Sequence, residues 1–197
     1  MSEQQPTFVM ILADYFRERL TDVSGTLAPV PQEDTLWYLG NMLARFGQSD
    51  QFFNYEQGRL SIRPLALLYQ DAREAEDRRQ RCLILRQLGD MSLFLGALFP
   101  EKFARRGIRQ EYFVGMGGSA YDYLAEFAQH SRHVFQELAN TFNTLLQLIA
   151  RVCIKQTLFD AADAINLYYR WRNSGDPYLA EQLHQAGIAV STASPHH

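Results

Sequence analysis

Asp90 is the residue of this chain whose type and setting most suggest chemistry. It stands between Leu88 and Leu93 in the most apolar stretch of the sequence. A carboxylate that leaves water on folding needs a cation or hydrogen-bond donors, and charged groups in apolar settings tend to mark functional sites. Arg86 lies one helical turn earlier, and Arg105 and Arg106 follow Pro100, where the chain can fold back. The expectation is a buried Asp90 in contact with one of these three arginines or with the backbone amides around Gly117. Two roles compete: a structural ion pair or cap at a helix break near Gly89, and a ligand contact or proton-transfer group.

The second candidate is the glycine cluster from 115 to 118, Gly-Met-Gly-Gly. Each glycine inside a helix costs about 1 kcal/mol against alanine, so the cluster points to a bend, a close approach or a bound group. A helix starting after it could hold an anion at its N-terminus, completed by Arg105 or Arg106. The alternative is tight helix packing at Gly117 and Gly118. No apolar strand precedes the cluster, so a dinucleotide-binding fingerprint fails, and no Lys-Ser/Thr pair follows to make a P-loop. The ligand-binding candidates are therefore Asp90, Arg105, Arg106, Tyr112, Gly117, Gly118 and Tyr121.

Glu126, His130, His133 and Glu137 follow one another at spacings of four, three and four, which puts them on one helix flank. Carboxylate and imidazole together can bind metal, but these four residues form neither Glu-x-x-His nor HExxH, and the flank is read as solvated. Asp160 and Asp163 form a single acidic pair without a second aspartate-rich motif, and the arginines within DAREAEDRRQR oppose magnesium binding. No catalytic residue can be named, and no metal or cofactor is expected.

Composition sets the frame. The 197 residues are 47% hydrophobic and 13% aromatic, which fits one ordinary globular domain rather than a disordered chain. A formal net charge of -3 with no basic stripe gives nucleic-acid binding little electrostatic support. Cys82 and Cys153 match no metal or redox spacing. The apolar run at the N-terminus is interrupted by Asp14 and has no basic leader, and the run from 82 to 99 contains Arg86, Gln87 and Asp90. Neither a signal peptide nor a membrane span is expected, and the cytoplasm is the expected location.

Periodicity predicts the elements that must position these residues. A helix from Thr7 to about Leu20 presents Phe8, Ile11, Leu12, Tyr15 and Phe16, and a second has Glu33 and Asp34 in its first turn and Leu36, Leu39, Gly40, Leu43 and Phe46 as its stripe. Residues 52–62 could form a hairpin or a loop. Pro64 opens a long helix through the charged run at 71–81, where Glu74 with Arg78 and Asp77 with Arg81 are spaced for ion pairs. Gly89, Ser92 and Gly96 share a side and invite another helix close. After a short basic turn near 103–107, a long helix with Leu124, Phe127, Ser131, Val134, Leu138, Phe142, Leu145 and Ile149 in its stripe follows, with one break near His130. Helices from Val152 to Arg172 and from Asp176 to Gly187 complete an all-α single domain of about seven helices over 1–190, followed by a mobile tail, 191–197.

Gly89-Asp90, Leu98-Phe99-Pro100-Glu101, Arg105-Arg106, Tyr112-Phe113 and Gly118…Ala120-Tyr121 together resemble a pattern of functionally uncharacterised all-helical bacterial proteins. The resemblance covers the central segment only; it implies a helical bacterial fold and supplies no activity. Two functional classes follow from the residues. One is a non-enzymatic interaction or regulatory module, ligand-responsive, with a protein partner or self-association; it rests on the missing catalytic motifs and the charged helix. The alternative is a small-molecule-binding protein or enzyme whose pocket is formed by Asp90, Arg105, Arg106, Tyr112 and Tyr121, with a small anionic ligand.

Overall fold

Every residue from 88 to 97 is buried, and the rest of the fold is arranged around that stretch. A computed structural model describes residues 8–48, 54–56, 59–61 and 65–153, with Tyr168, Trp171, Leu179, Ala180 and Leu183 beyond them. Among the described residues there are eight helices: α1 (Phe8–Ser24), α2 (Glu33–Gln48), α3 (Leu65–Glu74), α4 (Arg78–Leu98), the single turn α5 (Pro100–Ala104), α6 (Gln110–Phe127), α7 (Arg132–Asn140) and α8 (Phe142–Cys153). Two three-residue strands, β1 (Asn54–Glu56) and β2 (Arg59–Ser61), pair antiparallel with Tyr55 opposite Leu60, so of the two alternatives left open for this stretch the strand pairing forms.

The architecture is the all-α bundle that the periodicity predicts. Central helix α4 packs on α3, α6 and α8, α6 packs on α7, and α1 fills the space between α2 and α8. The predicted stripe of α2 (Leu36, Leu39, Gly40, Leu43, Phe46) is buried throughout, as are Leu12, Phe16 and Leu20 of α1. No helix among the described residues is long and apolar enough to cross a membrane. Thr7, the pair Asp160 and Asp163, and the tail lie outside the described residues. So does most of the sequence assigned to the two last helices, although Leu179, Ala180 and Leu183 join the core at helical spacing.

Three helix boundaries differ from the sequence reading. First, the helix expected to run on from Pro64 is two helices. Asp77 is the N-cap of α4 and accepts from the Gln80 N–H at 3.1 Å. Arg81 donates to the carbonyls of Ala72 and Ala75 at 3.0 and 2.7 Å, which satisfies the open end of α3. Those tasks replace the expected Glu74–Arg78 and Asp77–Arg81 ion pairs; Glu74 instead accepts from Gln70. Second, α4 has no break at Gly89. A methyl there would stand 2.7 Å from the Tyr121 ring, so this glycine makes room for an aromatic side chain of α6. Third, the long helix breaks at 128–131, as expected near His130, with Ser131 in a left-handed backbone at φ 59° and out of the apolar stripe, but it breaks a second time at Thr141, and α8 then runs on through the expected helix start at Val152.

Candidate functional site

Asp90 is 3% exposed and holds three helices together. Its Oδ1 accepts the Tyr38 hydroxyl of α2 at 2.6 Å and the Tyr121 hydroxyl of α6 at 2.8 Å. Its Oδ2 accepts from Arg45 Nη2 of α2 at 3.0 Å. Arg86, one turn before Asp90 on α4, donates from Nε to the Tyr38 oxygen at 3.1 Å and lies over the Tyr38 ring at 5.0 Å. Tyr38 and Arg45 are seven residues apart and so share a face of α2, while Arg86 and Asp90 are four apart and share a face of α4. The α2 and α4 backbones scarcely approach each other. Long side chains bridge the gap.

The hydrogen bonds fix the protonation pattern. Tyr38 accepts from Arg86, so its one proton goes to Asp90, and Tyr121 gives its proton to the same oxygen. Asp90 is the acceptor in each of its three bonds, which suits a carboxylate. Burial pushes its pKa up; the Tyr38 hydrogen bond, the charge of Arg45 and the Tyr121 hydrogen bond oppose this, and burial wins. Burial also lifts both phenols well above their ordinary value, reinforced by the neighbouring carboxylate. For Arg86 burial acts against the charge, but Tyr38 and Asp90 outweigh it and the guanidinium holds its proton more firmly than usual.

The expected direct partners of Asp90 need correcting. Its ion pair is with Arg45, and Arg86 reaches it only through Tyr38. No hydrogen bond or ion pair among the described residues joins it to Arg105, Arg106 or the Gly117 amide. Arg105 and Arg106 are exposed in the turn after α5, and Tyr112 is 38% exposed near the start of α6. The glycine cluster sits inside α6, which begins at Gln110, so its amides do not form a helix N-terminus. Gly117 is a packing position, where a methyl would meet the Phe142 ring at 2.4 Å, whereas Gly118 has nothing within 4 Å. Of the seven candidates, the structure joins Asp90 and Tyr121 by a side-chain hydrogen bond, and among the described residues none of the other five bonds to either side chain.

A cleft opens beside this network. It measures about 600 Å³ and is lined by α2, the N-terminal half of α4 and the α6–α7 junction. Tyr38 and Arg86 form part of its wall, while Asp90 and Tyr121 do not reach it. Trp37 and Leu83 also line it and are 55% and 62% exposed. Leu124, Phe127, Val134 and Phe135 add apolar surface, and Arg78 lies over the Phe127 ring at 5.4 Å. Arg78, Arg79, Arg86, His130 and His133 line the cleft together with Asp34 and Asp77. Asp77 is occupied as a helix cap, and Asp34 binds His133 at 2.8 Å.

Of the flank read as solvated, Glu126, His130 and His133 are exposed, but the break at 128–131 divides the four residues between α6 and α7, so they do not share one helix face. His133 pairs with Asp34, and Glu137 accepts the Gln32 N–H and the Thr35 hydroxyl at the start of α2. Among the described residues no three His, Cys, Asp or Glu side chains gather into a metal-binding group. Tyr38, Arg45 and Trp37 were missed by reasoning from motifs, because each belongs to an ordinary amphipathic helix. The available signal was the Tyr38–Arg45 spacing of seven, two polar-tipped side chains along the edge of an apolar stripe.

Comparison of the chain with protein-family models, with curated proteins and with solved structures finds no match.

Proposed function

We propose that this chain is a small-molecule-binding protein whose ligand occupies the cleft between α2, α4 and the α6–α7 junction. The observation behind this reading is the state of Arg86. Its Nε is taken by Tyr38, its guanidinium is stacked on the Tyr38 ring, and Tyr38 is fixed by buried Asp90. Among the described residues neither Nη of Arg86 has a protein acceptor. A cation held in place from behind with open donors beside a cavity is the arrangement of a prepared binding group. The cavity volume falls within the range of about 300–1,000 Å³ usual for small-molecule sites.

Two further features favour binding over the other classes. Within the charged run at 71–81, on which the interaction-module reading drew, Asp77 serves as a helix cap, Arg81 as a clasp on α3 and Arg78 in a ring contact, so three of its charges have structural tasks. Cys82 lines the cleft, yet burial raises its pKa despite Arg78 and Arg81, which is opposite to the activation a nucleophilic thiol needs.

Native mass spectrometry of the full chain purified from its own host tests the proposal. One retained small molecule per chain, lost from the Arg86→Gln variant, is the expected result. A ligand-free spectrum, together with no compound of a broad metabolite panel altering Trp37 fluorescence, would overturn it.

A further inference from the structure

We infer that the ligand of this cleft is a singly charged organic acid, a carboxylate on a flat apolar body. The inference rests on the small-molecule reading above and adds the chemical class.

The charged end follows from the donors that remain on Arg86. Its Nε is occupied by Tyr38, so the side-on fork of Nε and Nη is closed. The end-on pair of Nη groups is left, and two parallel N–H donors match the two oxygens of a carboxylate. A single charge follows from the surroundings. Arg78 is engaged over Phe127, Arg79 is exposed, and the carboxylates of Asp34 and Asp77 also line the cleft. Asp77 is used as a helix cap and Asp34 is paired with His133, so the one anchored cation suits one negative charge, whereas a phosphate dianion calls for more fixed donors.

The apolar end follows from the remaining lining. Trp37 and Leu83 are large, exposed and contributed by two different helices, and Phe127 and Val134 continue the same surface. A flat ring or short fused system covers such surface at little conformational cost. Asp90 and Tyr121 do not reach the cleft, and Tyr38 stands in its wall behind Arg86. They act as positioning residues that hold Arg86 at a fixed depth.

The test titrates the full-length chain carrying Trp171→Phe, so that Trp37 alone reports by fluorescence. The probes are 1-naphthoate, its neutral amide, 1-naphthyl phosphate and 1-naphthylamine. Protection of Cys82 from a thiol reagent gives a second readout at the cleft, since Cys153 is buried. The expected result is naphthoate binding at least about tenfold tighter than the amide and the phosphate ester, with Cys82 protected. Arg86→Lys keeps the charge and removes the fork, and it should reduce that preference by about tenfold. Should Arg86→Gln fail to fold, the lysine variant still decides. Equal binding of acid and amide, with Cys82 protected, overturns the acid class and leaves a small-molecule site. Tighter binding of the phosphate ester overturns the single charge. No binding by any probe, in a protein that also retains nothing in native mass spectrometry, overturns both readings together.

Discussion

The Tyr121 hydroxyl donates to the same Asp90 oxygen, Oδ1, that Tyr38 already occupies from the opposite helix. Two phenols from α6 and α2 therefore depend on one carboxylate of α4 for their only proton acceptor. Removing it leaves both hydroxyls buried without that acceptor, each at a cost of about 1–3 kcal/mol. Arg45 is half exposed and can turn to water, so it adds less. Asp90→Ala should lower the unfolding free energy by about 2–4 kcal/mol, and Asp90→Asn by less, because the amide oxygen still accepts. Urea unfolding of the two variants measures this. An Asp90→Ala protein as stable as the parent would remove the network from any account of the fold.

The same pair of phenols sets an alkaline limit. Burial, then the charge of Asp90, raises both tyrosine pKa values well above the ordinary one. The native state then holds protons that the unfolded chain has released above about pH 10. Stability from these groups is fully present below that pH and falls as pH rises through the raised native values. The expected outcome is a steep loss of stability above about pH 10, shallower in the double variant Tyr38→Phe, Tyr121→Phe. Chemical unfolding at a series of alkaline pH values, with phenolate absorbance followed in parallel, checks both the direction and its source.

Gly117 and Gly118 are neighbours with opposite requirements. A methyl at Gly117 would lie 2.4 Å from the Phe142 ring and 2.9 Å from the Ser92 Cβ, both in the packed core. Gly117→Ala should cost about 1–3 kcal/mol by overpacking. A methyl at Gly118 meets nothing within 4 Å, and the helix gains alanine's better propensity, so Gly118→Ala should stabilise by about 0.5–1 kcal/mol. Thermal melts of the two single variants give the signs. Two changes of the same sign would mean that α6 does not lie against Phe142 as described.

What could be read from the sequence divides along physical lines. Local pattern left hairpin and loop open at 52–62, whereas helix periodicity, the buried stripe of α2 and the burial of Asp90 all follow from it, since only neighbours in the chain are needed. The Arg45 partner does not, since it comes from a helix 45 residues away, and Arg86 was the nearer choice by spacing. The break at 75–77 was hidden because a strongly helix-forming composition was overruled by one capping aspartate and one arginine bound to carbonyls. The glycine cluster looked like a ligand loop because glycine serves close packing and close ligand approach equally well. The cleft could not be foreseen: it is built from the edges of three separate elements, none of which carries a motif.

Glu137 supplies the last prediction, because it reaches from α7 to the start of α2. Its two carboxylate oxygens lie 3.1 and 3.2 Å from the Gln32 nitrogen, and one of them also accepts the hydroxyl of Thr35, a residue that is fully buried. Gln32 is the N-cap residue of α2, its carbonyl accepting from the Thr35 and Leu36 amides. The arrangement resembles a capping box, except that the carboxylate comes from another helix. Glu137→Ala leaves the Thr35 hydroxyl without its acceptor and frees the first turn of α2, at an expected cost of about 1–3 kcal/mol. That turn bears Asp34, and Trp37 and Tyr38 follow it into the cleft wall, so loosening it should also weaken whatever binds there. His133→Ala removes only an exposed pair with Asp34 and should cost no more than about 1 kcal/mol. Urea unfolding, run alongside the Trp37 fluorescence titration, separates the two variants. A Glu137→Ala protein with unchanged stability and unchanged binding would show that α2 is placed by its apolar face alone.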